Sequence, residues 1–80
     1  MNESELKTVL FEGLRKIAPE ADPASLRPEQ KIRETLDIDS FDFLSFLIDL
    51  NEKLGVEIPE ADYGKLNTLA DMLQYLGPKV

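Results

Sequence analysis

The chain of 80 residues contains no cysteine and no histidine. Without cysteine it can form no disulfide, no thiolate metal site and no cysteine nucleophile. Without histidine it lacks the usual general base and the commonest side-chain ligand of transition metals. We therefore expect a protein that is not an enzyme and that has no metal site of its own.

Long apolar runs are also absent. No stretch approaches the roughly 18 apolar residues that a membrane-spanning helix needs, and the polar, acidic start of the chain lacks a signal-peptide pattern. These absences predict a soluble, cytoplasmic protein. The length allows one domain over residues 1–80 with one modest hydrophobic core, and nothing in the sequence indicates more than a monomer.

Acidic residues are concentrated in one segment of the chain. Between Asp37 and Asp62 eight acidic residues accompany a single basic one, so this segment accounts for the whole net charge of −7. Such a surface repels nucleic acid and anionic membranes and favours partners with basic patches. The alternative is that the acids only keep the protein in solution.

The apolar pattern predicts an all-α bundle of three main helices and one short helix. The first helix runs from about Glu3 to Ile17, with Asn2 and Glu5 as a capping box, and Pro19 ends it. A long loop follows, from Pro19 to Ile38. We expect its sparse apolar residues to fasten it to the bundle, and these are Leu26, Ile32 and Leu36.

The second helix is predicted from Ser40 to Leu54, with Gly55 as its C-terminal stop. Its apolar arc is wide, so it must pack from more than one direction or expose some residues to a partner. A short third helix is expected around Glu60 to Leu66. The last helix starts at Thr68, which forms a capping box with Asp71, and it ends at Gly77-Pro78.

Ser40 stands at the head of the second helix, directly after an acid and at the end of the long loop. The unpaired N–H groups and the positive dipole end of a helix N-terminus favour a phosphate ester on this serine. Asp39 and Asp42 flank it; they oppose a phosphodiester but could help to hold a divalent cation on a modifying enzyme. The alternative is that Asp39 or Ser40 only caps the helix.

Calcium binding is not expected here. The run from Asp37 to Asp42 is similar to the start of an EF-hand loop, but Asp42 occupies the position of the glycine. The twelfth position of such a loop needs a bidentate acid and is Ile48.

Two blocks of the sequence resemble the acyl carrier protein family: Asp39-Ser40-Phe41-Asp42-Phe43-Leu44 and Leu54-Gly55-Val56-Glu57-Ile58-Pro59. The family has Asp-Ser-Leu at the head of its second helix and a Gly-hydrophobic-acid-Ile-Pro segment after it. The resemblance implies that Ser40, with Asp39 as the flanking acid of the motif, is esterified with 4′-phosphopantetheine by a phosphopantetheinyl transferase. The thiol of this arm would carry an acyl group as a thioester, on a stand-alone carrier.

The resemblance also implies partners and surfaces. We expect acyl-loading and acyl-processing enzymes with basic docking patches, and no binding to nucleic acid or membrane. The docking residues would lie on the second helix, and they are Phe41, Asp42, Ser45, Asp49 and Glu52. The wide apolar arc suggests that bundle side chains part to shelter the acyl chain, and these are Leu44, Ile48, Ile58 and Leu66.

Several positions depart from the family pattern. Asp37 stands where the family often has glycine, Phe41 replaces the commoner leucine, Ser45 replaces a frequent acid, and Phe43 and Phe46 make the helix unusually aromatic. These departures indicate a specialised carrier in fatty acid, lipid or polyketide-type biosynthesis. Two alternatives stay open.

One alternative is an unmodified helical docking module in which Ser40 is a plain N-cap. The other is an aminoacyl or peptidyl carrier, although such domains more often have Gly-Gly-x-Ser before the second helix. The run Asp37-Ile38-Asp39-Ser40 does not match that pattern.

Overall fold

The computed structural model describes all residues from Met1 to Val80. It contains four α-helices, three 3-10 helices and no strand; the only bridge of the β type pairs Lys31 with Thr68. The α-helices are α1 (Glu3–Ile17), α2 (Ile32–Thr35), α3 (Ser40–Leu54) and α4 (Leu69–Leu76). The 3-10 helices are Pro23–Ser25, Glu60–Lys65 and Gly77–Lys79. The predicted all-α bundle is confirmed, and no helix has both the length and the apolar character needed to cross a membrane.

Helix α1 begins and ends where the apolar stripe predicts. The side chain of Asn2 accepts a hydrogen bond from the Glu5 amide at 2.8 Å, and the Asn2 amide donates to the Glu5 carboxylate at 3.2 Å. This capping box satisfies two amide groups that would otherwise be unpaired at the helix start. The first turn is acidic and the last turn basic, which suits the helix dipole at both ends.

The loop between α1 and α3 is held against the start of α4. Its apolar residues Leu26 and Ile32 are buried and Leu36 is half-buried, as expected. The Ile32 amide donates to the Asn67 carbonyl at 2.9 Å, and the Ala70 amide donates to the Pro28 carbonyl at 3.0 Å. These backbone bonds fix the position of the segment that leads to Ser40.

Helix α3 has the predicted bounds, and Gly55 ends it in the left-handed conformation with φ +65°. The sequence did not indicate which part of its wide apolar arc enters the core. Its buried residues are Phe43, Phe46, Leu47 and Leu50, whereas Leu44 and Ile48 are 38% and 47% exposed. Helix α1 packs along α3 more extensively than any other pair of elements. Tertiary packing therefore selects one part of a wide apolar arc.

The segment after α3 forms a 3-10 helix that ends one residue before the predicted end, at Lys65, and Leu66 enters the core. The Tyr75 hydroxyl donates to the Asp62 carboxylate at 2.7 Å, and Lys65 pairs with the same carboxylate at 3.2 Å. The hydrogen bond from Tyr75 and then that from Lys65 lower the pKa of Asp62, and the bond to Asp62 raises the pKa of Tyr75. This contact joins the 3-10 helix to α4.

Helix α4 starts with the predicted capping box of Thr68 and Asp71 and ends at Leu76. Gly77-Pro78 therefore ends this α-helix as predicted, and the chain continues in a 3-10 turn that contains Pro78. The four α-helices and the segments that connect them contribute to a single core with no buried polar side chain. Its sixteen residues are Leu6, Leu10, Leu14, Leu26, Ile32, Ile38, Phe43, Phe46, Leu47, Leu50, Val56, Ile58, Leu66, Leu69, Met72 and Leu76.

Gly13 allows α1 and α3 to approach each other closely. A Cβ atom at this position would lie 2.7 Å from Cε1 and 2.9 Å from Cδ1 of the Phe46 ring, which is itself buried. Contacts between carbon atoms at such distances are strongly repulsive. The glycine is therefore needed for packing and not for a special backbone conformation.

We expect Gly13→Ala to lower the free energy of unfolding, measured by urea denaturation. Alanine in place of a helical glycine normally stabilises by about 1 kcal/mol, but overpacking costs roughly 1–3 kcal/mol, so the expected net loss is about 0–2 kcal/mol. Gly64→Ala is the control, because a Cβ there meets no atom within 4 Å. A stabilised Gly13→Ala would show that α1 and α3 are not in close contact at this point.

Asp37 adopts the left-handed conformation, with φ +54°, directly after Leu36, the C-cap of α2. The Ile38 amide donates to the Arg33 carbonyl at 2.9 Å, which is the long hydrogen bond of a Schellman helix end. Glycine is the commonest residue at this position of the motif because it has no Cβ. The departure at Asp37 thus replaces glycine where the backbone favours it, and the Asp37 side chain makes no hydrogen bond that would compensate.

Substitutions of Asp37 should follow their tolerance of positive φ. We expect Asp37→Val to lower the free energy of unfolding by about 1–2 kcal/mol, because a β-branched residue is strained there. Asp37→Gly should keep the value within about 1 kcal/mol, since relief of strain offsets its greater freedom when unfolded. Asp37→Asn controls for the lost charge. Equal stability of the Val and Gly variants would contradict the left-handed conformation.

Candidate functional site

Ser40 is the first residue of α3, and its exposed hydroxyl makes no hydrogen bond within the chain. The N-cap is Asp39, whose carboxylate accepts a hydrogen bond from the Asp42 amide at 2.7 Å. The interpretation of Ser40 as a plain N-cap is therefore wrong, because the preceding residue performs that role. The serine hydroxyl is left free for chemistry.

Two unpaired backbone amides lie in the same first turn of α3 as this hydroxyl. The amide of Phe43 bonds to the Asp39 carbonyl at 3.1 Å, but the amides of Ser40 and Phe41 donate to no group of the chain. Free amides and the positive end of the helix dipole stabilise a phosphate group. The exposed hydroxyl, the two free amides and the absence of a covering side chain fit a phosphodiester at Ser40.

Two buried side chains hold the junction on either side of Ser40. Ile38 lies in the core just before the helix, and Phe43 enters the core one turn after Ser40. The Arg33 side chain adds a long hydrogen bond of 3.4 Å to the Ile38 carbonyl. The backbone at Ser40 is thus fixed, although its side chain points to solvent.

The expected docking residues lie on the outer face of α3 or at its edge. Phe41 is 73% exposed, Ser45 and Glu52 are exposed, and Asp42 and Asp49 are half-buried. The Asp49 carboxylate is partly occupied by an ion pair with Lys53 at 3.2 Å. The acids and the phenyl ring therefore share a surface that begins beside the free hydroxyl.

The exposed apolar residues of α3 form a stripe that sequence analysis did not recognise. Phe41, Leu44 and Ile48 follow one another at i, i+3 and i+7, so they lie on one side of the helix. We call these three residues the outer stripe. Their spacing was visible in the sequence, but it could not be separated from the pattern of the core residues that alternate with them.

The four residues expected to shelter an acyl chain do not lie together. Leu44 and Ile48 belong to the outer stripe, whereas Ile58 and Leu66 belong to the core. None of the five main surface depressions is lined by any of the four. A shelter formed by all four would require side chains to move.

A depression of about 380 Å³ lies next to the junction instead. Most of its lining is polar, and it includes two residues that come just before Ser40. Its residues are Lys31, Arg33, Glu34, Asp37, Ile38, Phe43 and Asn67. Sequence reasoning missed Lys31, Arg33 and Asn67, because only the folded contact between the loop and the start of α4 brings them together.

Comparison with known proteins agrees with the resemblance seen in the sequence. A family model described as "Phosphopantetheine attachment site" matches residues 11–76. The acyl carrier protein of Thermosynechococcus vestitus is 35% identical over 84 residues, which cover 100% of this chain and 98% of that protein. The acyl carrier protein of Campylobacter curvus is 36% identical over 70 residues, covering 84% of this chain and 91% of that protein.

A third relative has a more specialised name. The meromycolate extension acyl carrier protein of Mycolicibacterium aurum is 31% identical over 70 residues, covering 84% of this chain and 72% of that protein. These matches support a covalently attached 4′-phosphopantetheine as the cofactor. They extend over nearly the whole bundle, including α3 and the segment after it. The chain therefore belongs to the acyl carrier protein family.

Proposed function

We propose that this protein carries acyl groups as thioesters and that its attachment residue is Ser40. The observation that carries the proposal is the free, exposed Ser40 hydroxyl on the first turn of α3, beside two unpaired amides. Asp39 supports the site as the cap that fixes this turn. When bound, 4′-phosphopantetheine supplies a flexible arm whose terminal thiol forms the thioester.

The chain's own contribution to attachment is an acceptor hydroxyl in a fixed position. Ser40 Oγ forms a bond to the phosphorus that carries the pantetheine arm of coenzyme A and loses its proton. The phosphoanhydride P–O bond of coenzyme A breaks, and adenosine 3′,5′-bisphosphate leaves. The chain has no histidine to accept that proton, and the Asp39 carboxylate is engaged in the helix cap. A base on the phosphopantetheinyl transferase therefore accepts the proton, and this agrees with a carrier that performs no catalysis itself.

Acyl carrier proteins act together with phosphopantetheinyl transferases and acyl-processing enzymes. For this chain we propose that such partners dock on Phe41, Asp42, Ser45, Asp49 and Glu52. Exposed aromatic rings are frequent anchors of protein interfaces, and the acids attract a basic partner surface from a distance. The exposed Phe41 and the acidic segment of α3 support this docking surface.

We further propose a specialised carrier in fatty acid, lipid or polyketide-type biosynthesis. Phe41 and Ser45, which depart from the family pattern, both lie on the exposed side of α3, where they change what a partner meets. An aminoacyl or peptidyl carrier is the second candidate, with the same attachment chemistry at Ser40. The acyl shelter formed by Leu44, Ile48, Ile58 and Leu66 stays a proposal that requires opening of the bundle.

Attachment is tested by intact mass after incubation with coenzyme A, magnesium and a phosphopantetheinyl transferase of broad specificity. We expect the wild type to gain one phosphopantetheine and Ser40→Ala to gain none. The control is Ser4→Ala, which removes an exposed hydroxyl of α1, outside the proposed docking surface, and should gain the same mass as the wild type.

The stability of these variants separates attachment from folding. Because Asp39 is the cap, Ser40→Ala should cost less than the ~1 kcal/mol typical of a lost cap, whereas Asp39→Ala should cost about that amount. Modification of Ser40→Ala would place the arm on another residue and reject Ser40 as the acceptor. Modification of neither protein, beside a working positive control, would favour the unmodified docking module.

Docking is tested by the kinetics of the same transfer. We expect Phe41→Ala to lower kcat/KM by a factor of about 10, which corresponds to ~1.4 kcal/mol of lost interface contact. Its stability should be unchanged, because the ring is 73% exposed. Phe41→Leu restores the residue commonest in the family and should retain most of the rate.

Two variants that each remove one charge complete the docking test. Glu52→Gln and Glu29→Gln each remove one exposed carboxylate, but only Glu52 lies on α3. Glu52→Gln should reduce the rate and its dependence on salt, whereas Glu29→Gln should not. Equal effects of the two variants would argue against α3 as the docking surface.

A further inference from the structure

The interior next to Ser40 contains no ready space for an acyl chain. Protein cores are packed about as densely as organic crystals, and the main depression beside the junction is lined mostly by polar residues. Only two of its lining residues are apolar, Ile38 and Phe43, and both belong to the core. An apolar chain that leaves this depression for the core therefore meets these two side chains first.

Of these two side chains, Phe43 is the better placed to meet an acyl chain attached at Ser40. It follows Ser40 by three residues, so the two side chains are neighbours on the surface of α3. Long side chains on a helix point back towards its N-terminus, which directs the Phe43 ring over the turn that contains Ser40. The ring is 7% exposed, whereas Phe46, Leu47 and Leu50 behind it are almost completely buried.

Phe46 closes the path behind Phe43. The centroids of the two rings lie 5.9 Å apart, with their planes tilted by 43°. On its other side Phe46 touches Gly13 so closely that even a methyl group at Gly13 would lie 2.7 Å from the ring. Phe46 therefore cannot retreat towards α1 without pushing that helix away.

We propose that Phe43 is the gate through which cargo enters this carrier, and that Phe46, backed by Gly13, is a stop that limits the entering chain to a short apolar segment. This proposal rests on attachment at Ser40. The cargo class that fits is a short or partly polar acyl group, because its polar part can remain in the depression lined by Lys31, Arg33 and Asn67. The apolar remainder of a long chain would stay outside the core.

The test uses carrier loaded at Ser40 with acyl-phosphopantetheine of increasing length, from acetyl through butanoyl and octanoyl to dodecanoyl. Methyl chemical shifts are recorded by NMR for Ile38 at the gate and for Leu50 and Met72 in the deep core. We expect the Ile38 shift to change from the butanoyl chain onwards. The Leu50 and Met72 shifts should not change further when the chain is lengthened to dodecanoyl.

Two variants should extend the depth that a chain can reach. In Phe43→Leu, which opens the gate, and in Phe46→Leu, which removes the stop, the Leu50 and Met72 shifts should grow with chain length. Phe11→Leu is the matched control, since it makes the same substitution at a half-buried phenylalanine of α1 that lines none of the main depressions. It should respond to chain length as the wild type does.

Three results would overturn the proposal. The first is a progressive change of the Leu50 and Met72 methyl shifts in the wild type up to dodecanoyl, which would show that the core accepts long chains. The second is an Ile38 methyl shift that does not change with any acyl chain, which would place the cargo on the outer stripe. The third is the same response of Phe43→Leu and Phe11→Leu.

The intact mass of the protein distinguishes failure of attachment from failure of the gate. If Ser40 accepts no arm, the proposed function fails, and the gate is still decided with Ser40→Cys alkylated by N-alkyl iodoacetamides of the same chain lengths. The chain has no cysteine of its own, so this thiol is the only one that reacts. The same methyl shifts then support or overturn the gate.

Discussion

The N-terminus of α3 is the point on which both the fold and the site depend. A residue that accepts a covalent arm must be held still and yet keep its hydroxyl free, and one side chain cannot cap a helix and react at the same time. Asp39 resolves this conflict because its carboxylate caps the helix through the Asp42 amide. Ile38 and Phe43 anchor the backbone in the core on both sides. The Ser40 side chain is therefore needed neither to cap the helix nor to hold the backbone.

The charge distribution follows from the same division of roles. The segment from Asp37 to Asp62 carries the entire net charge, and a phosphodiester at Ser40 would add to it. Because the site is exposed, solvent and salt screen this repulsion within about 10 Å, so its cost to folding is small. At an interface with a basic partner, these acids attract the partner's basic residues, and the attraction strengthens as water is displaced. The acids that are unfavourable beside a phosphate are thus favourable for the encounters that a carrier needs.

Local patterns predicted most of the secondary structure, and tertiary contacts decided what the patterns could not. The bounds of α1 and α3 and both capping boxes depend on residues within a few positions of each other, so the sequence was sufficient for them. The core side of α3 was not determined in this way. Apolar residues occupy more than half of its circumference, and the packing of α1 separates Phe46 and Leu50 from Leu44 and Ile48.

The departure at Asp37 shows a second limit of sequence reasoning. Helix α2 has four residues, which is too short for an apolar period to reveal it. Its Schellman end explains why a glycine suits position 37, and that explanation depends on a helix that could not be predicted. The depression that includes Lys31, Arg33 and Asn67 could not be predicted for a similar reason, because Asn67 is far from all its other lining residues along the chain.

A small core also determines how cargo can be sheltered. An empty cavity costs about 24 cal/mol for each Å³, so a permanent space of ~100 Å³ would cost about 2.4 kcal/mol. That is a large fraction of the roughly 5–15 kcal/mol that stabilises a small domain. A carrier of this size is therefore more stable with a closed core that opens only when cargo replaces the displaced side chains. The side chains that can be displaced at least cost are those at the edge of the core. Ser40, the proposed attachment residue, lies one helical turn from such a residue, Phe43.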